Sequence, residues 1–223
     1  MQITPVLRIG RGVTALIGGG GKTTLLYTLT EELRRRGSVI LCASAKIRVP
    51  EQYALYTGAE PQELSEALRE RGAVCAGTPC GSGKLTAPSL SFDTLARLAD
   101  YVLVEADGSR GLPMKAHAPH EPVVPANAQR TVLVIGADGF GKPIREVCHR
   151  SALYASLAGV SEDDPVTPEL AARVLAAEAL GDRIYINKTE KPEDLEAAQQ
   201  LAQWLTCPVI AGSLHKGVYL CLQ

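Results

Sequence analysis

Val13 to Thr24 reads VTALIGGGGKTT, and the fold follows from it. Val13–Ile17 is an apolar run of strand length. Gly18, Gly19, Gly20 and Gly21 come next, then Lys22, Thr23 and Thr24. After them Leu25, Leu29 and Leu33 recur at helical spacing. Strand, glycine loop, Lys-Thr and helix form the context of a phosphate-binding loop. Without a Cβ, glycine lets the backbone wrap closely round an anion, with its N–H groups at the positive end of the helix dipole. In that reading Gly18–Gly21, Lys22, Thr23 and Thr24 bind nucleotide, Lys22 reaches the β- and γ-phosphates, and the Thr23 hydroxyl ligates Mg²⁺. The loop is a variant: the first glycine of G-x-x-x-x-G-K-[ST] would fall at Leu16.

Other apolar runs repeat the theme. Ser38–Cys42, Tyr101–Val104, Thr131–Ile135, Arg183–Asn187 and Pro208–Ile210 read as buried strands. Between them, 22–36, 61–71, 92–100, 145–158, 167–180 and 192–205 read as helices, with Thr167-Pro168 as a cap and first-turn pair. Residues 1–12 read as a lead-in strand and turn. Residues 73–86 suggest a small edge hairpin around the turn TPCGSG. The expectation is an α/β fold: one three-layer, P-loop NTPase-like domain over 1–223, with a mainly parallel sheet and helices on both faces.

Composition narrows the function. The chain has 223 residues, 23 Lys and Arg against 24 Asp and Glu, and 4% aromatic residues. No basic stripe or stacking platform for nucleic acid is indicated, and no apolar stretch reaches membrane-spanning length. The N-terminus lacks the pattern of a signal peptide. Six dispersed cysteines without a C-x-x-C pair read as free thiols, and the cytoplasm is the expected location.

In open α/β sheets ligands bind beyond the carboxyl ends of the strands. Gly18–Thr24, Ser44–Lys46, Glu105–Asp107 and Asn187–Glu190 all fall at such ends. Glu105 and Asp107 occupy the position of the Walker-B acid. Residues i and i+2 of an extended chain point the same way, so both carboxylates are expected to face one Mg²⁺ site with Thr23. With Lys22 they form the candidate catalytic set. Asn187-Lys188-Thr189-Glu190 resembles the base-reading N-K-x-D motif, with Glu190 in place of Asp. A plain loop before the following helix is an equal alternative, so the cofactor is Mg²⁺ with either ATP or GTP.

Gly108–Arg130 is a long Pro-rich stretch without regular period, and such loops are more often functional than idle. It carries Arg110, Lys115, His117, His120 and Glu121. Pro119 and Pro122 exclude a zinc-protease helix for H-x-x-H-E, and a solvated loop is the expectation for these side chains. Lys46, Arg110, Lys115, His120 and Glu121 are the candidate substrate or partner contacts.

Taken together, Gly18–Thr24, the Lys46 turn, Glu105-Ala-Asp-Gly-Ser109, Lys115 and His120-Glu-Pro-Val-Val-Pro125 resemble the YqeC-like proteins over nearly the whole chain. The resemblance implies a cytoplasmic P-loop protein serving a selenium-dependent molybdenum hydroxylase or its cofactor, with that hydroxylase or a molybdenum cofactor intermediate as partner. Two departures stand out: Ala43-Ser44-Ala45 replaces a threonine-rich turn before Lys46, and Glu190 replaces Asp. The activities compatible with these residues are Mg²⁺-dependent NTP hydrolysis, transfer of a phosphoryl or nucleotidyl group to a cofactor precursor, and nucleotide-gated carriage of a cofactor without significant turnover.

Overall fold

The computed structural model describes all residues, 1–223. A nine-stranded sheet runs through it. Its strands are β1 (Gly12–Gly18), β2 (Val39–Ala43), β3 (Ala54–Tyr56), β4 (Ala73–Ala76), β5 (Tyr101–Glu105), β6 (Ala128–Gly136), β7 (Arg183–Asn187), β8 (Val209–Ser213) and β9 (Val218–Cys221). The order is β9-β8-β7-β6-β1-β5-β2-β4-β3. All pairings are parallel except β8 with β9. The order reverses around β1, which lies between β6 and β5, so the loop after β1 sits at a switch point of the sheet.

The main helices are α1 (Lys22–Leu33), α2 (Pro61–Arg71), α3 (Phe92–Leu98), α4 (Ser151–Ala158), α5 (Pro168–Glu178) and α6 (Pro192–Ala202). Strand alternation sends Leu16, Leu41, Leu103, Val132 and Val134 to one face. There they meet Leu25, Leu26, Leu29 and Leu33 of α1. Ala15, Ile17, Leu133, Ile135, Ile184 and Ile186 point the other way, against small and apolar residues of α4, α5 and α6. On that same face Val13, Ile40, Val102 and Val104 pack against Leu64, Leu68 and Leu95 of α2 and α3. The result is the expected three-layer α/β fold with a mainly parallel sheet. No helix is long and apolar enough to cross a membrane.

Several local expectations are corrected. Ile3–Val6 is a helical turn, not a lead-in strand, because Glu32 of α1 accepts the Ile3 and Thr4 N–H groups. The stretch 145–158 is broken in two: Arg150 adopts a left-handed φ of 61°, which ends one turn before α4 starts. In the break, Cys148–His149 pairs in parallel with Met114–Lys115. This pairing ties the Pro-rich stretch to the body of the protein. Within 73–86, β4 joins the large sheet, whereas Thr78–Pro79 and Lys84–Thr86 pair antiparallel in a separate three-stranded sheet with Ile47–Arg48. The edge strands β3 and β9 carry too little alternation to be read from sequence.

Candidate functional site

The glycine loop leaves β1 and enters α1 directly. Gly21 stands at the N-cap with φ 116°, a conformation that costs a residue with a Cβ dearly. It contributes no side-chain cap, so the first amides of α1 are left for another acceptor. Earlier amides are already engaged. Gly18 N–H donates to Asp107 Oδ2 (2.9 Å), Gly19 N–H to the Val134 carbonyl (2.8 Å) and Gly20 N–H to the Leu112 carbonyl (3.1 Å). Leu112 and Pro113 lie so close that a Cβ on Gly19 would stand 2.6 Å from the Leu112 oxygen. The start of the Pro-rich stretch therefore rests on the glycine loop.

Lys22 does not face solvent; it is 3% exposed. Its Nζ donates to the Gly18 carbonyl and lies 3.1 Å from Asp107 Oδ1 and 3.9 Å from Glu105 Oε1. The two-residue repeat thus brings both acids to one lysine. Their surroundings then separate them. Glu105 Oε2 accepts a hydrogen bond from the Thr23 hydroxyl at 2.9 Å. Burial pushes its carboxyl up, against the opposing pull of Lys22 and Thr23. Asp107 is buried too, but His117, Lys22, Lys115 and the Gly18 amide outweigh the burial and bring its carboxyl down to about 2. Asp107 Oδ1 makes no hydrogen bond, and its contact with Lys22 is ionic only.

Three side chains of the Pro-rich stretch, Lys115, His117 and Glu121, are not solvated as expected. Lys115 is fully buried at its side chain: its Nζ donates to Gly108 O and Glu121 Oε2 (2.8 Å) and lies 3.2 Å from Asp107 Oδ2. Arg150 donates to Glu121 in turn. Burial works to raise the Glu121 carboxyl, and the bonds from Arg150 and Lys115 overcome it, bringing it to about 2. His117 bridges Asp107 and Glu178, with a 2.8 Å contact at each ring nitrogen. The reason is accounting: an ionised carboxylate withdrawn from water collects cations and donors wherever the topology supplies them. His120 is exposed and lies 3.4 Å from Arg150, while Arg110 and Lys46 are exposed at the surface.

Beyond β7, Asn187 is committed within the protein. Its Nδ2 donates to the Gly20 carbonyl (2.8 Å), and its Oδ1 accepts from the Tyr185 hydroxyl and the Leu214 amide. It therefore fixes the glycine loop to the loop after β8. Lys188, in a left-handed conformation, pairs with Asp138 at 2.8 Å, and Glu190 accepts from Ser213. These residues and Thr24 line a cavity of about 610 Å³ next to the start of α1. Sequence reasoning missed Asp138, although it follows β6 at the same sheet end as the other clusters. It also missed Glu178, which closes α5 and gives no local signal.

The donor set suits Mg²⁺ shared with phosphate. Thr23 Oγ1 and Glu105 are hard oxygen donors already in contact, and Asp107 Oδ1 is a buried carboxylate oxygen without a hydrogen bond. No cluster of three or more His, Cys, Asp or Glu side chains could hold a metal by itself.

The YqeC protein family matches residues 14–152. A relative from Escherichia coli strain K12, an uncharacterized protein YqeC, is 30% identical over 159 residues. That alignment covers 68% of this chain and spans 62% of the relative's length. Among solved structures, the signal recognition particle 54 kDa protein of Aeropyrum pernix K1 in complex with GDP superposes with a TM-score of 0.43 at 16% identity. The overlap covers 96% of this chain and 44% of that one. That likeness is too loose to bear on function. The match over the glycine loop, the acid pair and the buried Lys115–Glu121 pair, together with the bacterial relative, identifies the chain as a member of the YqeC family.

Proposed function

We propose that this protein binds a nucleoside triphosphate with Mg²⁺ at Gly18–Thr24 and hydrolyses it in the maturation of a selenium-dependent molybdenum hydroxylase or its cofactor. The observation that carries the nucleotide reading is the 2.9 Å bond between Thr23 and Glu105 beside a lysine held at the mouth of a glycine loop. In this reading the open amides at the start of α1 receive phosphate oxygens, and Lys22 turns from Gly18 and Asp107 to neutralise them. Thr23 and Glu105 hold Mg²⁺, directly or through its water shell, and Asp107 orients the groups around the attacking water. The base would lie in the cavity bordered by Asn187, Lys188, Glu190 and Asp138, whose polar lining suits a purine edge. The selenium and molybdenum context is supported by the family resemblance alone.

Calorimetry with ATP and GTP, each with and without Mg²⁺, tests the reading, followed by product analysis. Binding strengthened by Mg²⁺ and release of free phosphate without an acceptor are the expected results. Phosphate or nucleotide transfer only when a cofactor precursor is added would replace hydrolysis with transfer. Tight binding with no turnover would make the protein a nucleotide-gated carrier. No binding of either nucleotide refutes the proposal.

A further inference from the structure

Four partners gather on the buried carboxylate of Asp107. Lys22 stands 3.1 Å from Oδ1, while Lys115 (3.2 Å), His117 Nε2 (2.8 Å) and the Gly18 amide (2.9 Å) surround Oδ2. His117 is itself held from behind. Its Nδ1 lies 2.8 Å from Glu178 Oε2, and its backbone N–H donates to Glu178 Oε1. The side chains of His117 and Glu178 are 3% and 6% exposed. With a carboxylate at each ring nitrogen, the imidazole serves both partners only as a double donor. Glu178 occupies the last turn of α5, and Thr167 caps the start of that helix through the Leu170 amide. A folded helix therefore fixes the far end of the chain Glu178–His117–Asp107–Gly18.

We infer that His117 and Glu178 are positioning residues for Asp107, holding its carboxylate against the glycine loop when Lys22 turns to phosphate. The inference rests on the nucleotide reading given above. Lys22 cannot stay centred on Asp107 and also neutralise a triphosphate. Once it turns, Lys115 is the lysine left on Asp107, and Lys115 is shared with Glu121 and the Gly108 carbonyl. A buried carboxylate left short of partners moves to find new ones. The His117 contact prevents that movement, and Glu178 keeps the imidazole aimed. Partners at this remove from a reacting centre are worth about 10–100-fold in activity where they have been removed in other sites.

The test compares His117→Ala, His117→Gln and Glu178→Gln with the parent in Mg²⁺-nucleotide hydrolysis, alongside calorimetric Kd and thermal melts. Glutamine at 117 retains an N–H donor for Asp107. His117→Ala is expected to lower kcat about tenfold or more while nucleotide Kd stays within about threefold, because the lost contact is not to the nucleotide. His117→Gln should recover most of kcat, and Glu178→Gln should fall between the two. Parent-level kcat in His117→Ala overturns the inference. So does a His117→Gln enzyme as slow as His117→Ala, since that pattern marks a structural role. If His117→Ala does not fold, His117→Gln and Glu178→Gln decide: kcat near the parent in the first and lowered in the second supports the inference, and any other pattern overturns it. A parent protein that binds no nucleotide removes both readings. A parent that turns nucleotide over beside unaffected variants removes this one alone.

Discussion

Replacing Lys22 with methionine keeps most of the side-chain volume and removes the charge, and the structure assigns a cost to the loss before any nucleotide is present. Lys22 is buried, and its amine is ionically paired to Asp107 at 3.1 Å and to Glu105 at 3.9 Å. Breaking a buried ion pair by removing one partner costs about 3–5 kcal/mol, because the other charge stays buried and unpaired. Asp107 retains Lys115 and His117, which puts the variant at the low end, about 3 kcal/mol. For a chain of this size 1 kcal/mol corresponds to about 2–4 °C, so the melt should fall by about 6–12 °C. The assay is thermal unfolding by circular dichroism without nucleotide. A double-mutant cycle sharpens it. Asp107→Asn in the Lys22→Met background removes the stranded carboxylate, and the two changes should couple by about 1–3 kcal/mol instead of adding. A Lys22→Met protein melting within about 2 °C of the parent, or two changes that simply add, would refute the claim that this lysine is paired inside the resting fold.

Further expectations concern the neighbouring residues. Glu105 is pushed up by burial and Asp107 is held down by its cations, so without Mg²⁺ Glu105→Gln should melt at or above the parent and Asp107→Asn below it. In the same experiment Glu105→Gln should lose the Mg²⁺-dependent gain in nucleotide affinity; a gain equal to the parent's would remove Glu105 from the metal site. Glu121 sits at about 2, below its unfolded value of about 4.3, so its contribution is present above that value and is lost as pH falls towards 2. The urea-midpoint gap between parent and Glu121→Gln should therefore be wide at pH 5 and narrow steadily below about pH 4; a constant gap would count against the Lys115–Glu121–Arg150 pairing. Gly19→Ala would press a methyl group on the Leu112 and Pro113 carbonyls. Hydrogen exchange should then quicken at the Gly20 and Gly136 amides, which donate to those carbonyls, and unchanged protection would deny the contact.

The sequence by itself determined whatever short-range periodicity encodes. The apolar run 13–17, the glycines after it and the Leu25, Leu29, Leu33 spacing define a strand, a turn and a helix within two dozen residues, and the structure has all three. The two-residue repeat of a strand likewise brought Glu105 and Asp107 to the same lysine. Thr167-Pro168 marked the start of α5 because a cap acts within one turn. Only the tertiary structure decided how the charges are paired. Lys115 read as a substrate or partner contact and His117 as a residue of a solvated loop, since no local pattern distinguishes a buried ion from an exposed one. Their burial follows from the pairing of Met114–Lys115 with Cys148–His149 and from the end of α5 closing over His117. Glu178 lies 61 residues from His117 along the chain, and Asn187 lies 167 from the Gly20 carbonyl that it binds. Such partners are chosen by where the sheet order places each strand end, and an unpaired charge out of water costs enough to make the choice strict.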